Sequence, residues 1–183
     1  EIAHELVRDG LITDLLESER LADVQSGGPA ALHTEPSTLS DIVHEQCDAQ
    51  AAAGTVALHL DEALPALALD RVRMRLLLRN LVDNALRHGG APDAAPAVST
   101  ARTPRAVRLV VRDFGPGMDE RQLQHAAEAF YRADEARLRS TGGVGLGLYL
   151  CRLVAEAHGG TLALRNAHPG LEITVEIPLP AAA

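Results

Sequence analysis

The chain contains no lysine and no tryptophan, and only two cysteines, two phenylalanines and two tyrosines occur among its 183 residues. Without lysine, P-loop phosphate binding, the strand lysine of protein kinases and Schiff-base chemistry are all excluded. Cys47 and Cys151 lack the spacing of a disulfide framework or zinc set, which fits a reducing cytosolic compartment. The formal net charge of −8, with all 17 basic residues being arginine, argues against nucleic-acid binding.

Long apolar runs are also lacking, so the sequence predicts neither a membrane span nor a signal peptide. It starts at Glu1 inside a helical pattern, without an initiator methionine, and we therefore expect an excised fragment. With 46% apolar residues, the chain can bury a core in one domain, or in one domain with a helical appendage.

The most distinctive stretch is Ser140–Tyr149, a glycine-rich turn that runs directly into an apolar helix. Such a turn can point its backbone amides inward and form an anion-binding nest at the helix N-terminus. Leu148 stands where a dinucleotide fingerprint needs glycine and where a P-loop needs lysine, so both motifs are excluded. In isolation, an ordinary glycine-rich surface loop is an equal alternative.

A second motif lies on a predicted helix from Asp70 to about His88, capped by Asp70. Asn80 and Asn84 are four residues apart and share one face, and Arg87 and His88 follow one turn further on. The opposite, buried face is apolar and contains Leu78, Leu81, Val82 and Ala85. Taken alone, the two asparagines are also compatible with solvated polar surface.

A third motif, Asp113-Phe-Gly-Pro-Gly117, follows a predicted strand. Asp113 has the same parity as Val107, Leu109 and Val111, so it extends the apolar, inward face of that strand. Two glycines then keep the turn open. A plain Asp-x-Gly turn is an equal alternative for this stretch in isolation.

Periodicity and turn residues predict the remaining elements. We expect an amphipathic helix over residues 1–24, a helix capped by Ser37 or Thr38, and another over Met118–Ala129 capped by Asp119. A helix containing Leu146 and Leu150 is expected to end at Gly159-Gly160. Extended segments are predicted at 31–34, 56–60, 67–69, 97–103, 105–112, 161–165 and 171–177, with a mobile lid at 133–141.

Four motifs occur in a fixed order: Asn80-x-x-x-Asn84, Asp113-x-Gly-x-Gly117, Phe130-Tyr-Arg132 and Gly143-x-Gly-x-Gly147. Over residues 31–180 this arrangement resembles the N, G1, F and G2 boxes of the catalytic ATP-binding domain of sensor histidine kinases. The wider family includes gyrase-type topoisomerases, mismatch-repair ATPases and the heat-shock chaperone ATPase. The resemblance implies an α/β fold, a two-layer α/β sandwich with a mixed sheet covered on one face by helices, in residues 29–183. Residues 1–28 would be the C-terminal part of the helical dimerisation and phosphotransfer hairpin.

The resemblance also implies ATP and Mg²⁺ as cofactors and assigns roles to residues. Asn84 would be the metal ligand, and Asn80, Arg87 and His88 would contact the triphosphate or the metal's outer shell. Asp113 would accept a hydrogen bond from the adenine amino group, with Gly115 and Gly117 giving the base room. The phosphate cradle would comprise Gly143, Gly145, Leu146 and Gly147; Phe130 and Arg132 would anchor the lid, and Arg137 or Arg139 would reach phosphate.

Hydrolytic relatives have a glutamate four residues before the metal asparagine, where this chain has Asn80, which cannot act as a base. The resemblance therefore implies a kinase that passes the γ-phosphoryl group to a histidine and then to a response regulator. His4-Glu5 is similar to the family's acceptor motif but lacks its proline, so we expect the acceptor to lie outside this chain and the fragment not to autophosphorylate. The parent would be a membrane-anchored homodimer with this domain in the cytoplasm. Two alternatives stay open: a non-catalytic nucleotide-binding module and an anti-sigma-type serine kinase.

One position departs from the family pattern. Phe114 stands where the family usually has a small polar residue. Two interpretations follow: the ring packs under the adenine, or it lowers the affinity for nucleotide.

Overall fold

A computed structural model describes residues 32–50, 56–89, 94–131 and 145–181. In these ranges the helices are α1 (Leu39–Gln50), α2 (Arg71–His88), α3 (Glu120–His125) and α4 (Gly147–Ala157). The strands are β1 (Glu35–Ser37), β2 (Ala57–His59), β3 (Leu67–Leu69), β4 (Ala97–Arg102), β5 (Ala106–Arg112), β6 (Thr161–Asn166) and β7 (Leu171–Pro178). The expected N-terminal helix and the expected lid at 133–141 lie outside the described residues.

Five strands form one mixed sheet in the order β2-β4-β5-β7-β6. Strand β2 runs parallel to β4, and the other neighbours are antiparallel. A small second sheet pairs β1 with β3. The sequence-based expectation of a mixed sheet within an α/β sandwich is confirmed.

The core lies between this sheet and helices α1, α2 and α4. Alternate residues of β5 and β7 are buried, as period-two patterning requires: Val107, Leu109, Val111, Leu171, Ile173, Val175 and Ile177. Helices α2 and α4 pack against each other and against the sheet, and the Cys151 thiol on α4 donates to the Leu77 carbonyl on α2 at 3.5 Å. In the described segments, no helix combines the length and apolarity needed to cross a bilayer.

Side-chain caps set where the helices begin. The Asp70 carboxylate accepts from the Arg73 amide at 3.2 Å, and Asp119 forms a capping box with Gln122. Both predicted caps are confirmed. For α1 the cap is Thr38, which accepts from the Asp41 amide at 3.1 Å. The alternative, Ser37, belongs to β1.

Several predicted boundaries were wrong, and three of them have an identifiable physical reason. Helix α3 ends at His125 and not at Ala129, because tight turns follow it, with the Glu128 amide donating to the His125 carbonyl. The first strand begins at Glu35, because its pairing with β3 decides its position. Strand β7 includes Pro178, which needs no amide proton at the end of a strand.

A half-buried histidine joins the end of α4 to the start of α2. His158 Nδ1 donates to the Val154 carbonyl at 2.7 Å, and its Nε2 accepts from the Asp70 amide at 3.0 Å. Burial lowers the pKa of His158, so the neutral form that can accept this bond is favoured. The Asp70 carboxylate also accepts from the His33 amide at 3.1 Å, which fixes the chain where it enters the domain.

Candidate active site

Asp113 is the first residue after β5, and its side chain points into the molecule with 6% exposure. Its Oδ1 accepts from two backbone amides, those of Gly115 and Leu171, each at 3.0 Å. These two bonds fix the plane of the carboxylate. Oδ2 takes part in neither of them, so it is the oxygen suited to receive a further donor.

The loop from Asp113 to Met118, called here the aspartate loop, packs closely on its surroundings. A β-carbon added at Gly115 would lie 2.0 Å from the carbonyl oxygen of His88, at the end of α2. Gly117 has φ +76°, and a β-carbon there would lie 2.6 Å from Asn166 Oδ1. Both glycines are therefore required by contacts within the protein, which the sequence alone does not indicate.

The polar face of α2 points toward the start of α4. Asn80 is half-buried, and its Nδ2 donates to the Leu76 carbonyl at 3.0 Å. Its Oδ1 faces Gly147, where an added β-carbon would lie only 3.3 Å away. Asn84 is half-buried one turn further on, and Arg87 and His88 are exposed at the helix end.

Helix α4 begins without a side-chain cap. Leu146 occupies the N-cap position, is buried, and makes no capping hydrogen bond through its side chain. The first amides of this helix lack intrahelical acceptors, as at every helix N-terminus. Together with the positive end of the helix dipole, they form a place where phosphate oxygens can bind.

The segment at Phe130 is attached to the start of α4 through the backbone. The Phe130 amide donates to the Gly145 carbonyl at 3.1 Å. Phe130 has φ 63°, an uncommon conformation for a bulky residue, and its side chain is 62% exposed. Arg132, Gly143, Arg137 and Arg139 lie outside the described residues.

The fold thus brings the described parts of all four motifs together. The aspartate loop meets α2 where Gly115 contacts the His88 carbonyl, and α2 meets α4 where Asn80 contacts Gly147. The Phe130 segment joins them through Gly145. A flat ligand seated at Asp113 and an anion seated at the start of α4 would share the polar face of α2 between them.

Phe114 packs against the strand that precedes it. The Arg112 guanidinium carbon lies 4.9 Å from the centroid of the Phe114 ring. Arg112 is adjacent to Val111 in β5, so its side chain projects to the sheet face opposite the core. The contact supports a packing role for Phe114 on that face, away from the inward-pointing Asp113 carboxylate.

The residues behind the aspartate loop were not predicted from the sequence. The Asn166 side chain forms two hydrogen bonds with the backbone of Met118, and Gly170 packs directly on Asp113. Gly170 lies between two predicted extended segments, 161–165 and 171–177, and a glycine in such a connection could have been singled out from the sequence. Nothing local to Asn166 indicates its role, since its partner is 48 residues away.

Magnesium fits this site through an amide and phosphates rather than through a carboxylate cluster. Within the described ranges, no three histidine, cysteine, aspartate or glutamate residues are grouped closely enough to hold a metal ion. Mg²⁺ commonly takes one or two protein oxygens and fills its octahedron with water and phosphate oxygens. The Asn84 amide oxygen, on the polar face of α2, is a metal ligand of the kind this arrangement needs.

These features define a class of protein: an α/β sandwich in which an asparagine-bearing helix, an aspartate turn and an uncapped glycine-rich helix start surround one candidate site. Residues 69–181 match the family described as histidine kinase-, DNA gyrase B-, and HSP90-like ATPase. The chain belongs to this family.

Within the family, the chain resembles sensor histidine kinases. It is 40% identical over 111 residues to the signal transduction histidine-protein kinase BaeS of Escherichia coli, a match that covers 60% of this chain and 24% of BaeS. It is 36% identical over 169 residues to AfsQ2 of Streptomyces coelicolor, covering 92% of this chain and 30% of AfsQ2. The crystal structure of full-length ShkA in complex with AMPPNP superposes with a TM-score of 0.75 at 23% identity, covering 96% of this chain and 37% of ShkA.

The resemblance identified from the four motifs is therefore confirmed: the domain is a catalytic ATP-binding domain of the histidine kinase type. The alternatives, a non-catalytic module and an anti-sigma-type serine kinase, are not favoured by these relatives. The chain spans only 24% of BaeS and 30% of AfsQ2.

Proposed function

We propose that this chain binds ATP with Mg²⁺ and transfers the γ-phosphoryl group to a histidine outside the chain, on the dimerisation hairpin of a homodimeric parent. A response-regulator aspartate would then receive the phosphoryl group. The observation that carries the proposal is the contact between Asn80 and Gly147, which puts the amide face of α2 against the anion-binding start of α4.

Base recognition falls to Asp113. Its carboxylate is held by two backbone amides on Oδ1, so Oδ2 is oriented to accept from the 6-amino group of adenine. Guanine carries a carbonyl oxygen at the corresponding position, which a carboxylate repels. Gly115 and Gly117 keep side chains out of the loop beside the base.

The phosphates would lie at the start of α4. Backbone amides at Gly145, Leu146 and Gly147 would supply donors at a helix start that no side chain caps. Gly143, outside the described residues, would complete this cradle. Mg²⁺, when bound, would neutralise charge on the phosphates and assist the departure of the leaving group. Asn84 would hold the ion, and Asn80, Arg87 and His88 would contact the triphosphate or the waters around the metal.

Transfer to histidine, and not to water, follows from the chemistry of Asn80. An amide cannot accept a proton as a general base, and the Asn80 Nδ2 group is already engaged with the Leu76 carbonyl. Catalysis would therefore rest on positioning and charge neutralisation. Phe130 and Arg132 would anchor a lid that closes over the phosphates.

The assignment of residues 1–28 to the end of the hairpin is part of the same proposal. The similarity to AfsQ2 covers 92% of this chain and so extends well beyond the matched family domain at 69–181, which supports it. The domain would work in the cytoplasm, where ATP is available, in a membrane-anchored parent.

Calorimetric binding of ATP tests this proposal. Asp113→Ala removes a hydrogen bond to a carboxylate and should weaken ATP binding by roughly ten- to a hundredfold. Asn84→Ala should weaken only the part of the affinity that depends on Mg²⁺. Asp41→Ala, which removes an exposed carboxylate on α1, is the control and should bind as the wild type does. Unchanged affinity in both site variants would refute the proposed site.

A further inference from the structure

Asn166, the last residue of β6, holds the far end of the aspartate loop. Its Oδ1 accepts from the Met118 amide at 2.9 Å, and its Nδ2 donates to the Met118 carbonyl at 2.7 Å. One side chain thus satisfies both backbone groups of the residue that ends the loop. The same Oδ1 lies against Gly117, which leaves no room for a β-carbon there.

The turn that joins β6 to β7, residues 167–170, holds the near end of the loop. The Leu171 amide donates to Asp113 Oδ1, and the Asp113 amide donates to the Leu171 carbonyl at 2.9 Å. Gly170 has φ +89°, and a β-carbon there would lie 1.9 Å from the Asp113 carbonyl oxygen. The turn and the start of the loop are therefore in direct backbone contact.

Arg112 closes this turn from the other sheet face. Its Nη2 donates to the carbonyls of Ala167 and Pro169, at 3.2 and 3.4 Å. The β6–β7 hairpin is consequently held against the strand that carries Asp113 as well as against the loop that follows it. Both ends of the aspartate loop are therefore held by the β6–β7 hairpin.

We propose that Asn166 is a positioning residue for base recognition: with the 167–170 turn, it fixes the aspartate loop so that Asp113 Oδ2 meets the 6-amino group of adenine. This inference rests on the proposed function, in which Asp113 recognises adenine. Since the two bonds on Oδ1 set the plane of the carboxylate, displacement of the loop changes where Oδ2 points. Asn166 then determines selectivity for the 6-amino group without touching the nucleotide.

The test compares two nucleotides on the complete 183-residue chain. ATP carries the 6-amino group, and purine riboside triphosphate lacks only that group, so the ratio of their dissociation constants isolates the bond to Asp113. Asn166→Asp is isosteric and keeps the acceptor for the Met118 amide, but it turns the donor into an acceptor that repels the Met118 carbonyl. Any general effect of the added charge on phosphate binding acts on both nucleotides and cancels in the ratio.

We expect Asn166→Asp to weaken ATP binding by about five- to tenfold, the effect of roughly one hydrogen bond, and analogue binding by less than about twofold. Arg165→Ala is the matched control, because Arg165 is the preceding residue and its exposed side chain pairs with Glu172 at 2.7 Å, away from the loop. It should leave both dissociation constants unchanged. In an Asp113→Ala background, Asn166→Asp should have no further effect on ATP.

An equal loss of affinity for both nucleotides, or no loss for either, would overturn the inference, because a residue that only stabilises the fold cannot change the ratio. Should thermal unfolding show that Asn166→Asp is not folded, Asn166→Ser replaces it, with the same expected direction. If the wild type binds both nucleotides equally and Asp113→Ala changes nothing, the adenine assignment itself fails, and the inference fails with it. If Asp113→Ala abolishes the preference and the Asn166 variants keep it, only the inference fails.

Discussion

The Asn80 side chain lies against the first residue of α4, so that a β-carbon on Gly147 would come within 3.3 Å of Asn80 Oδ1. At the other end of the site, Gly115 lies against a backbone atom, the His88 carbonyl oxygen, and an added β-carbon would be only 2.0 Å away. Both contacts join α2 to a neighbouring motif, but only the first involves a side chain that can move.

Gly115→Ala and Gly147→Ala should consequently differ in stability. A β-carbon at 115 displaces backbone, and we expect Gly115→Ala to lower the free energy of unfolding by about 3 kcal/mol or more. At 147 the Asn80 amide can shift by a few tenths of an ångström, and alanine favours the helix, so the change should stay within about 1 kcal/mol. Denaturant unfolding measures both variants.

Relative to its loss of stability, Gly147→Ala should have the larger effect on nucleotide binding. Gly147→Ala disturbs Asn80 beside the start of α4 and should reduce ATP affinity in a protein that remains folded. Equal unfolding free energies for the two variants would contradict the packing described at Gly115.

Protonation of His158 should destabilise the domain. Burial lowers its folded pKa below the usual value of about 6.5, so at higher pH both folded and unfolded states are neutral and the full contribution is present. As pH falls below about 6.5, the unfolded state binds the proton first, and the free energy of unfolding decreases until the folded pKa is passed. Chemical denaturation across pH 5–8 measures this slope.

His158→Leu should reduce this part of the slope and also lower stability at neutral pH, because the Asp70 amide loses its acceptor. A slope that persists unchanged in His158→Leu would show that this half-buried histidine is not the titrating group.

The two helix-capping aspartates should differ in their effect. Asp70 is 4% exposed and, besides capping α2, accepts from the His33 amide and lies 3.5 Å from an Arg73 guanidinium nitrogen. We expect Asp70→Ala to cost about 2 kcal/mol or more of unfolding free energy, and Asp119→Ala, at an exposed cap, about 1 kcal/mol or less. Thermal or denaturant unfolding of both variants provides the comparison, and a larger loss at Asp119 would contradict it.

Phosphoryl transfer can be tested by supplying a separate acceptor hairpin from a sensor histidine kinase together with labelled ATP. The proposed function predicts a label on the hairpin that is lost in acid, since phosphohistidine hydrolyses there, and no label on this chain alone. Asn84→Ala should reduce the labelling. An unlabelled hairpin would favour a module that binds nucleotide without catalysis, and an acid-stable product would favour a serine kinase.

Most elements could be predicted because their signals are local. Period-two alternation placed β5 and β7, and the apolar face of α2 is the one that is buried. The caps at Asp70 and Asp119 are local, because each aspartate side chain accepts a hydrogen bond from the backbone amide three residues later. Elements whose limits depend on a distant partner, such as β1, were misplaced, because sequence periodicity contains no information about pairing across the chain.

The candidate site could likewise be predicted only in part. The inward position of Asp113 followed from strand parity, and the structure confirms that the residue is buried. Asn166 could not be identified, because its partner lies 48 residues away in the sequence and is reached only when the β6–β7 hairpin meets the end of β5. The roles of Asn84, Arg87 and His88 toward nucleotide and metal stay predictions.

Every hydrogen bond described for the aspartate loop reaches it at main-chain atoms or at Asp113 itself: the amides of Gly115 and Leu171 meet Asp113, and Asn166 meets the amide and carbonyl of Met118. None of them depends on which side chains occupy positions 114, 116 and 118. Substitution at those three positions therefore leaves every hydrogen bond described for the loop in place, so sequence variation there is compatible with an unchanged course of the loop backbone.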